Sequence, residues 1–280
     1  MIYLLLAILS SALISVLMRL SNSRVNSSMA MFAVNYALCA VLSRAFMGSS
    51  SLFTAQPGMG MALGLGAFSG VMYLASFLIM QHAIRSCGLV MSTTFTKLGV
   101  IIPTLIAIVV FGDKLKPVQI PGLILALTAI VLAQYEKPLP GKKSSSSLPL
   151  IATLLCSGFT DSIANLYEKL GTLDARDHYL FFTFAVALLC SVLLGLKEKK
   201  KPVLMDVLFG LAIGVPNYFS SRFLLSALGS MPAVIVYPAF SVGTIALIAV
   251  IGIVFFREKP GLRKLVAVGI IALSLVLLNI

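Results

Sequence analysis

The sequence predicts an all-α membrane protein, with ten transmembrane helices in two inverted five-helix repeats. Three observations predict it. Apolar residues make up 59% of the 280 positions and charged residues 11%, whereas a soluble domain carries about a quarter charged residues. A single soluble core of this size could not hide that much apolar surface. Apolar runs long enough to cross a bilayer, about 20 residues, recur along the whole chain. Finally, short sequence echoes recur at nearly constant spacing on either side of a polar linker.

The runs are expected at residues 2–18, 29–46, 58–82, 89–111, 118–135, 148–170, 179–196, 203–228, 232–256 and 262–280. The first lacks a basic stretch before it, because Arg19 and Arg24 follow it. It reads as a retained membrane helix rather than a cleaved leader. Between the fifth and sixth runs, residues 136–147 read EKPLPGKKSSSS. Pro, Gly, Ser and Lys there predict a solvated linker. It separates a first repeat, residues 1–135, from a second, residues 148–280.

The echoes link these halves. Phe111-Gly-Asp113-Lys114 ends the fourth run and Phe256-Arg-Glu258-Lys259 ends the ninth, with Asp113 and Glu258 145 positions apart (258 − 113). Tyr73 and Tyr218 have the same separation (218 − 73). LCAVL at 38–42 echoes LCSVL at 189–193, and apolar runs begin at Gly122 and Gly269. Five is odd, so a second copy of a five-helix unit enters the membrane from the opposite side. Inverted repeats of this kind are a recurring plan of secondary transporters.

The formal charge of +12 sits in short loops between apolar runs, which points to membrane topology rather than to nucleic acid. Arg19, Arg24, Arg85, Lys137, Lys142, Lys143, Lys197, Lys199, Lys200, Lys201, Arg257, Lys259, Arg263 and Lys264 fall on one side. The other side has Arg44, Lys114, Lys116, Lys169 and Arg176. The positive-inside rule assigns the first set to the cytoplasm of an inner membrane and both termini to the outside. Cys39, Cys87, Cys156 and Cys190 show no Cys-x-x-Cys spacing, and His82 and His178 are the two histidines. That argues against a disulfide framework, a metal site or another cofactor.

With the Gly112-Asp113-Lys114-Leu115 and Arg257-Glu258-Lys259-Pro260 turns and the Gly-led runs after them, the whole chain resembles the ten-helix, EamA-like members of the drug/metabolite transporter superfamily. The resemblance implies a central cavity lined by the first, third, fourth, sixth, eighth and ninth helices, with the fifth and tenth peripheral. It implies transport of amino acids, sugars, phosphorylated metabolites, nucleotide-sugars or drugs. Such proteins usually have cytoplasmic termini, the reverse of what the basic residues here predict. Small four-helix relatives that export cations carry a Glu in their first helix, where this chain has Ser10, Ser11 and Ser15.

Ionisable groups deep in a span are functional candidates, because they are costly unless they face protein or water. Lys97 lies eight residues past Leu89, about 12 Å along its helix, with Thr93 one turn before it on the same face. A lysine beside hydroxyls suits a carboxylate or phosphate; a structural ion pair with Asp161 is the alternative. Ser157, Asp161, Asn165 and Glu168 form a polar stripe on the sixth helix. Asp161 is the candidate proton-coupling group, or else the neutralising partner of Lys97 or Arg222. Glu168 is expected at the interface. On the eighth helix Gly210, Gly214, Asn217 and Ser221 share a face, with Tyr218 and Arg222 beside it. Gly66 and Gly70 precede Tyr73 in the third helix in the same way, and small residues at this spacing let helices approach closely. The two repeat-related tyrosines are expected to meet near the midplane, either around an organic solute or as packed aromatics. Pro103, Pro216 and Pro238 predict kinks; Tyr237-Pro238 is the gate candidate, and Asn35 and Tyr36 are cavity-rim candidates.

The substrate-binding candidates are therefore Lys97, Thr93, Tyr73, Asn217, Tyr218 and Arg222. No paired deep carboxylates, Ser–His pair or phosphate loop suggests an enzyme or ATP drive, and a two-fold chain does not naturally make the rings of a channel. The expected function is secondary active transport of a small metabolite, with an amino acid or organic anion favoured, by a monomer or homodimer in a lipid bilayer. The other reading is a proton-coupled exporter of neutral or cationic amphiphiles.

Overall fold

In lipid, backbone polar groups must be satisfied within the segment, so apolar runs of this length form helices. The computed structural model describes residues 1–21, 23–47, 52, 57–87, 89–134, 148–198, 200–255, 257 and 262–279. The expected linker at 136–147, and Glu258 and Lys259 of the second turn motif, lie outside them. Among the described residues there are eleven α-helices: α1 (Ile2–Ser21), α2 (Ser28–Phe46), α3 (Met59–Cys87), α4 (Leu89–Leu98), α5 (Ile101–Val109), α6 (Gln119–Gln134), α7 (Leu148–Leu170), α8 (Arg176–Gly195), α9 (Leu204–Leu228), α10 (Ala233–Val254) and α11 (Leu262–Asn279). A short 3-10 turn at Leu173–Ala175 precedes α8. Among the described residues five helical stretches are long and apolar enough to cross a membrane: Ile2–Ser21, Ser28–Phe46, Met59–Met80, Leu173–Gly195 and Ala233–Val254.

Most helix ends fall within a few residues of the expected runs. The fourth run departs, because it is two helices with a break at Gly99–Val100. Pro103 has no N–H to offer the carbonyl four residues back, and Gly99 O accepts instead from Ile102 N at 3.0 Å. Hydropathy could not register this interruption, since both pieces are apolar.

The chain forms two compact units, and each draws on both halves of the sequence. One contains Ile2–Leu74 and Leu166–Gly229. In it α1 packs on α9, and α2 packs on α8 and α9. Glycines set the closest approaches. A Cβ on Gly210 would meet Met31 O at 2.7 Å and Val34 Cβ at 2.7 Å, and one on Gly214 would meet Asn35 O at 3.1 Å. A Cβ on Gly66 would meet Tyr179 O at 2.8 Å and Phe182 Cβ at 2.9 Å, and one on Gly70 would strike Thr183 O. The α3–α8 contact thus repeats the α9–α2 contact, with Met31, Val34 and Asn35 replaced by residues 148 positions later (179 − 31, 182 − 34, 183 − 35).

A loop network closes one end of this unit. The Asp206 carboxylate is fully buried and accepts from Asn26 N at 2.8 Å, Ser27 N at 3.2 Å and Val203 N at 3.0 Å. Ser27 Oγ in turn accepts from Ala30 N, capping α2, and donates to Glu198 at 2.7 Å. At another connection Thr172 Oγ1 donates to Pro57 O at 3.1 Å.

The second unit contains Ala75–Asn165 and Ser230–Ile280. Here α6 pairs with α11, and α10 packs on α5, α6 and α11. Gly122 approaches Leu277 and Leu278, whereas Gly269, its expected counterpart, faces open space. The Asp113 carboxylate accepts from Ala233 N at 2.9 Å, capping α10. Backbone in the left-handed region occurs at Gly112 (φ 67°) and Arg257 (φ 52°), again 145 apart (257 − 112).

The glycine contacts give a prediction with an internal control on one helix. Gly64 has open space around it, so Gly64→Ala is expected to leave thermal stability unchanged or raise it by about 0.5–1 kcal/mol. Gly70→Ala, against backbone, is expected to lower it by about 1–3 kcal/mol. Thermal unfolding in detergent ranks the two; equal melting points would mean that α3 does not pack on α8 as described.

Candidate functional site

The polar residues of the second unit converge on the broken helix. Ser157 Oγ on α7 donates to Thr96 O at 3.1 Å, meeting a carbonyl beside the break. A Cβ on Gly158 would lie 2.5 Å from Gly99 O, so only glycine lets α7 lie this close. Lys97 stands two residues before Gly99, near the C-terminal end of α4. Asp161, one turn beyond Ser157 on α7, interacts with it electrostatically. Both side chains lie deep among the helices and yet keep some accessible surface, as groups do that border an internal space. Of the two structural partners expected for Asp161, Arg222 is ion-paired with Asp177 instead.

Three further contacts shape this site. Tyr237 Oη donates to the main-chain O of Asp161 at 2.6 Å, tying α10 to α7 one residue before Pro238. Ser76 on α3 joins Thr160 Oγ1 at 2.9 Å and donates to Cys156 Sγ at 3.3 Å. Asn165, the next member of the stripe, is 1% exposed. Among the described residues neither its Nδ2 nor its Oδ1 has a hydrogen-bond partner. The side chain of Thr93 lies outside what the structure describes.

The first unit holds the other candidates. Arg222 is ion-paired with Asp177, donates to Tyr218 Oη at 2.5 Å and lies 4.5 Å from the Phe46 ring centroid. Asn217 Nδ2 donates to Asn35 Oδ1 at 3.2 Å, and Cys39 Sγ donates to Gly214 O at 3.3 Å. These join α2 to α9 where Pro216 leaves the helical ladder short of a donor. Tyr36 stacks on Phe184 at 6.4 Å, and Phe184 lies 6.5 Å from Tyr218. Glu168, expected at the interface, has a side chain only 6% exposed and is paired with Arg176.

The structure thus separates the candidates into two groups. Lys97, Asp161 and Tyr237 gather at the break in one unit; Tyr73, Asn217, Tyr218 and Arg222 belong to the other. Sequence reading missed Asp177, which neutralises Arg222, because the pair is 45 residues apart. It also missed the Tyr237 hydroxyl as a support for Asp161. A tyrosine immediately before an intramembrane proline was the available signal.

Fold and composition define a helical membrane protein. No family model matches the chain. A Haemophilus influenzae protein described as uncharacterized is 26% identical over 207 residues, covering 72% of this chain and 69% of its own length. A solved crystal structure, described simply as that of a protein, is similar in fold, with a TM-score of 0.76 and 14% identity over 99% of this chain and 96% of that one.

Proposed function

We propose that the chain is a secondary active transporter, moving a small metabolite, an amino acid or organic anion, across the inner membrane by alternating access. One observation carries the reading: a lysine and an aspartate placed together, deep among apolar helices, at a break in one of them. Charges so placed need partners or water, and they mark solute pathways. Discontinuous helices are a recurring way to build solute sites in transporters, because the break frees backbone groups and lets the two segments move separately.

The loop contacts support ten alternating crossings in an EamA-like arrangement. The first connection touches the seventh through Asn26 and Asp206, the second touches the sixth through Pro57 and Thr172, and the fourth touches the eighth through Asp113 and Ala233. Odd connections meet odd and even meet even, as a chain that crosses at every span requires. The repeated glycine contacts and the paired left-handed turns support two related five-helix repeats. With an odd number of spans, these repeats run in opposite directions across the membrane. The basic loops support an orientation with the odd connections in the cytoplasm and both termini outside.

A binding screen tests the reading. Wild type, Lys97→Met and Asp161→Asn are melted with organic anions, zwitterionic amino acids and organic cations. A binder of the folded state raises the melting point by mass action. The expected result is a rise of several degrees with an anion or amino acid, lost in Lys97→Met. A rise with cations alone, lost in Asp161→Asn, replaces this reading with proton-coupled export of cationic amphiphiles.

A further inference from the structure

We propose that Asn165 completes, with Lys97 and Asp161, a dipolar site for the primary ammonium and carboxylate of a zwitterionic α-amino acid. The inference rests on the transporter reading and narrows its substrate class.

Charge balance carries the first part. On sequence alone two deep cations, Lys97 and Arg222, face one deep carboxylate, which favours an anion. The structure removes Arg222 from that count, since Asp177 holds it. Lys97 and Asp161 remain, one charge of each sign, on the facing helices α4 and α7, where Ser157, one turn before Asp161, meets the carbonyl of Thr96 beside Lys97. An anion entering this site leaves it with a net negative charge and a cation leaves it positive. Either is penalised in a low-dielectric interior. A zwitterion keeps the sum at zero, presenting its carboxylate to Lys97 and its ammonium to Asp161.

Asn165 carries the second part. It follows Asp161 by four residues, so the two side chains share a face of α7 about 6 Å apart along the axis. Its amide is buried, and among the described residues both its donor and its acceptor are unmet. A buried amide without partners is destabilising, so one held within a polar stripe beside Asp161 indicates a partner that arrives. Asn165 Nδ2 can donate only to an acceptor, and Oδ1 can accept only from a donor. A carboxylate satisfies the first and an ammonium N–H the second, and an α-amino acid supplies both from one carbon. A quaternary ammonium, which has no N–H, leaves Oδ1 unmet. Ser157 is already engaged with Thr96 O and does not enter the recognition.

The test uses the full chain in lipid nanodiscs. Wild type and Asn165→Leu are melted with each L-α-amino acid, the matching 2-oxo acid, the matching amino-acid amide and glycine betaine. Asn165→Leu removes two unmet polar atoms at similar volume, so it is expected to fold at least as stably without ligand; Asn165→Thr serves as a second variant. The expected result is that at least one amino acid raises the wild-type melting point by several degrees. Its 2-oxo acid, its amide and betaine should not do so, and both variants should lose the effect. The proposal is overturned if the variants keep the full rise, or if oxo acids, amides or betaine act as well as amino acids. In those cases the transporter reading stands. If no solute in this panel or the wider screen shifts wild type, both fall.

Discussion

Asp206→Leu is expected to destabilise the protein by about 3 kcal/mol, the largest loss from a single residue outside the candidate site. The carboxylate is fully buried and takes three backbone N–H groups, from Asn26, Ser27 and Val203. Each buried donor left without an acceptor costs about 1–3 kcal/mol. Asn26 and Val203 are exposed enough for water to replace part of what they lose, whereas Ser27 is buried, so the sum stays near the lower bound. Asp206→Asn keeps an acceptor oxygen and is expected to lose about 1 kcal/mol. Thermal or denaturant unfolding in detergent measures both. An Asp206→Leu protein as stable as wild type would mean that this carboxylate does not hold the start of α2 to the start of α9.

The Lys97–Asp161 pair should show strong non-additivity. Removing one partner leaves the other charge uncompensated in an apolar bundle. For fully buried pairs that costs about 3–5 kcal/mol. Both side chains here keep some accessible surface, so Lys97→Met and Asp161→Leu are each expected to lose on the order of 2 kcal/mol. The double variant should recover most of that stability, because no lone charge remains, and a double-mutant cycle reads the coupling directly. Function should behave oppositely, with no recovery in the double variant. Additive losses in stability would mean that the two charges are solvated independently.

Much of the fold was legible because its cause is local. Hydropathy located the helices, and four-residue glycine spacing identified Gly66, Gly70, Gly210 and Gly214 as close-packing positions. The structure places all four against facing backbone or Cβ atoms. What was illegible depends on partners far away in sequence. The role of Asp206 had no local signal, since two of its three donors are about 180 residues distant. Arg222 read as a substrate-binding candidate or a partner of Asp161, because Asp177 lies on another helix 45 residues away. The break at Gly99 was foreseen only as a kink at Pro103, because both pieces remain apolar. Repeat register was also imperfect: LCAVL and LCSVL are 151 apart (189 − 38), whereas the packing contacts are related by 148. The difference is nearly one helical turn, an easy slip when similar apolar residues recur every turn.

At the candidate site, the residue types were legible and their grouping was not. Lys97 and Asp161 stand out in any apolar span and were offered as partners, but choosing between Lys97 and Arg222 for Asp161 required the packing of α7 and the Asp177–Arg222 pair. Asn165 was visible as part of a stripe; its unmet amide emerges only from the packing around it.

Counterflow in proteoliposomes tests the central claim most directly. Vesicles preloaded with an unlabelled amino acid that stabilises the wild-type protein are given a trace of the same compound with a radiolabel outside. The account predicts a transient overshoot of label inside wild-type vesicles, at least about tenfold above protein-free vesicles. It predicts none for Lys97→Met, Asp161→Leu or their combination, although the combination is folded. Label entry no faster than in protein-free vesicles, for every solute that binds, would contradict it, as would an undiminished overshoot in the double variant.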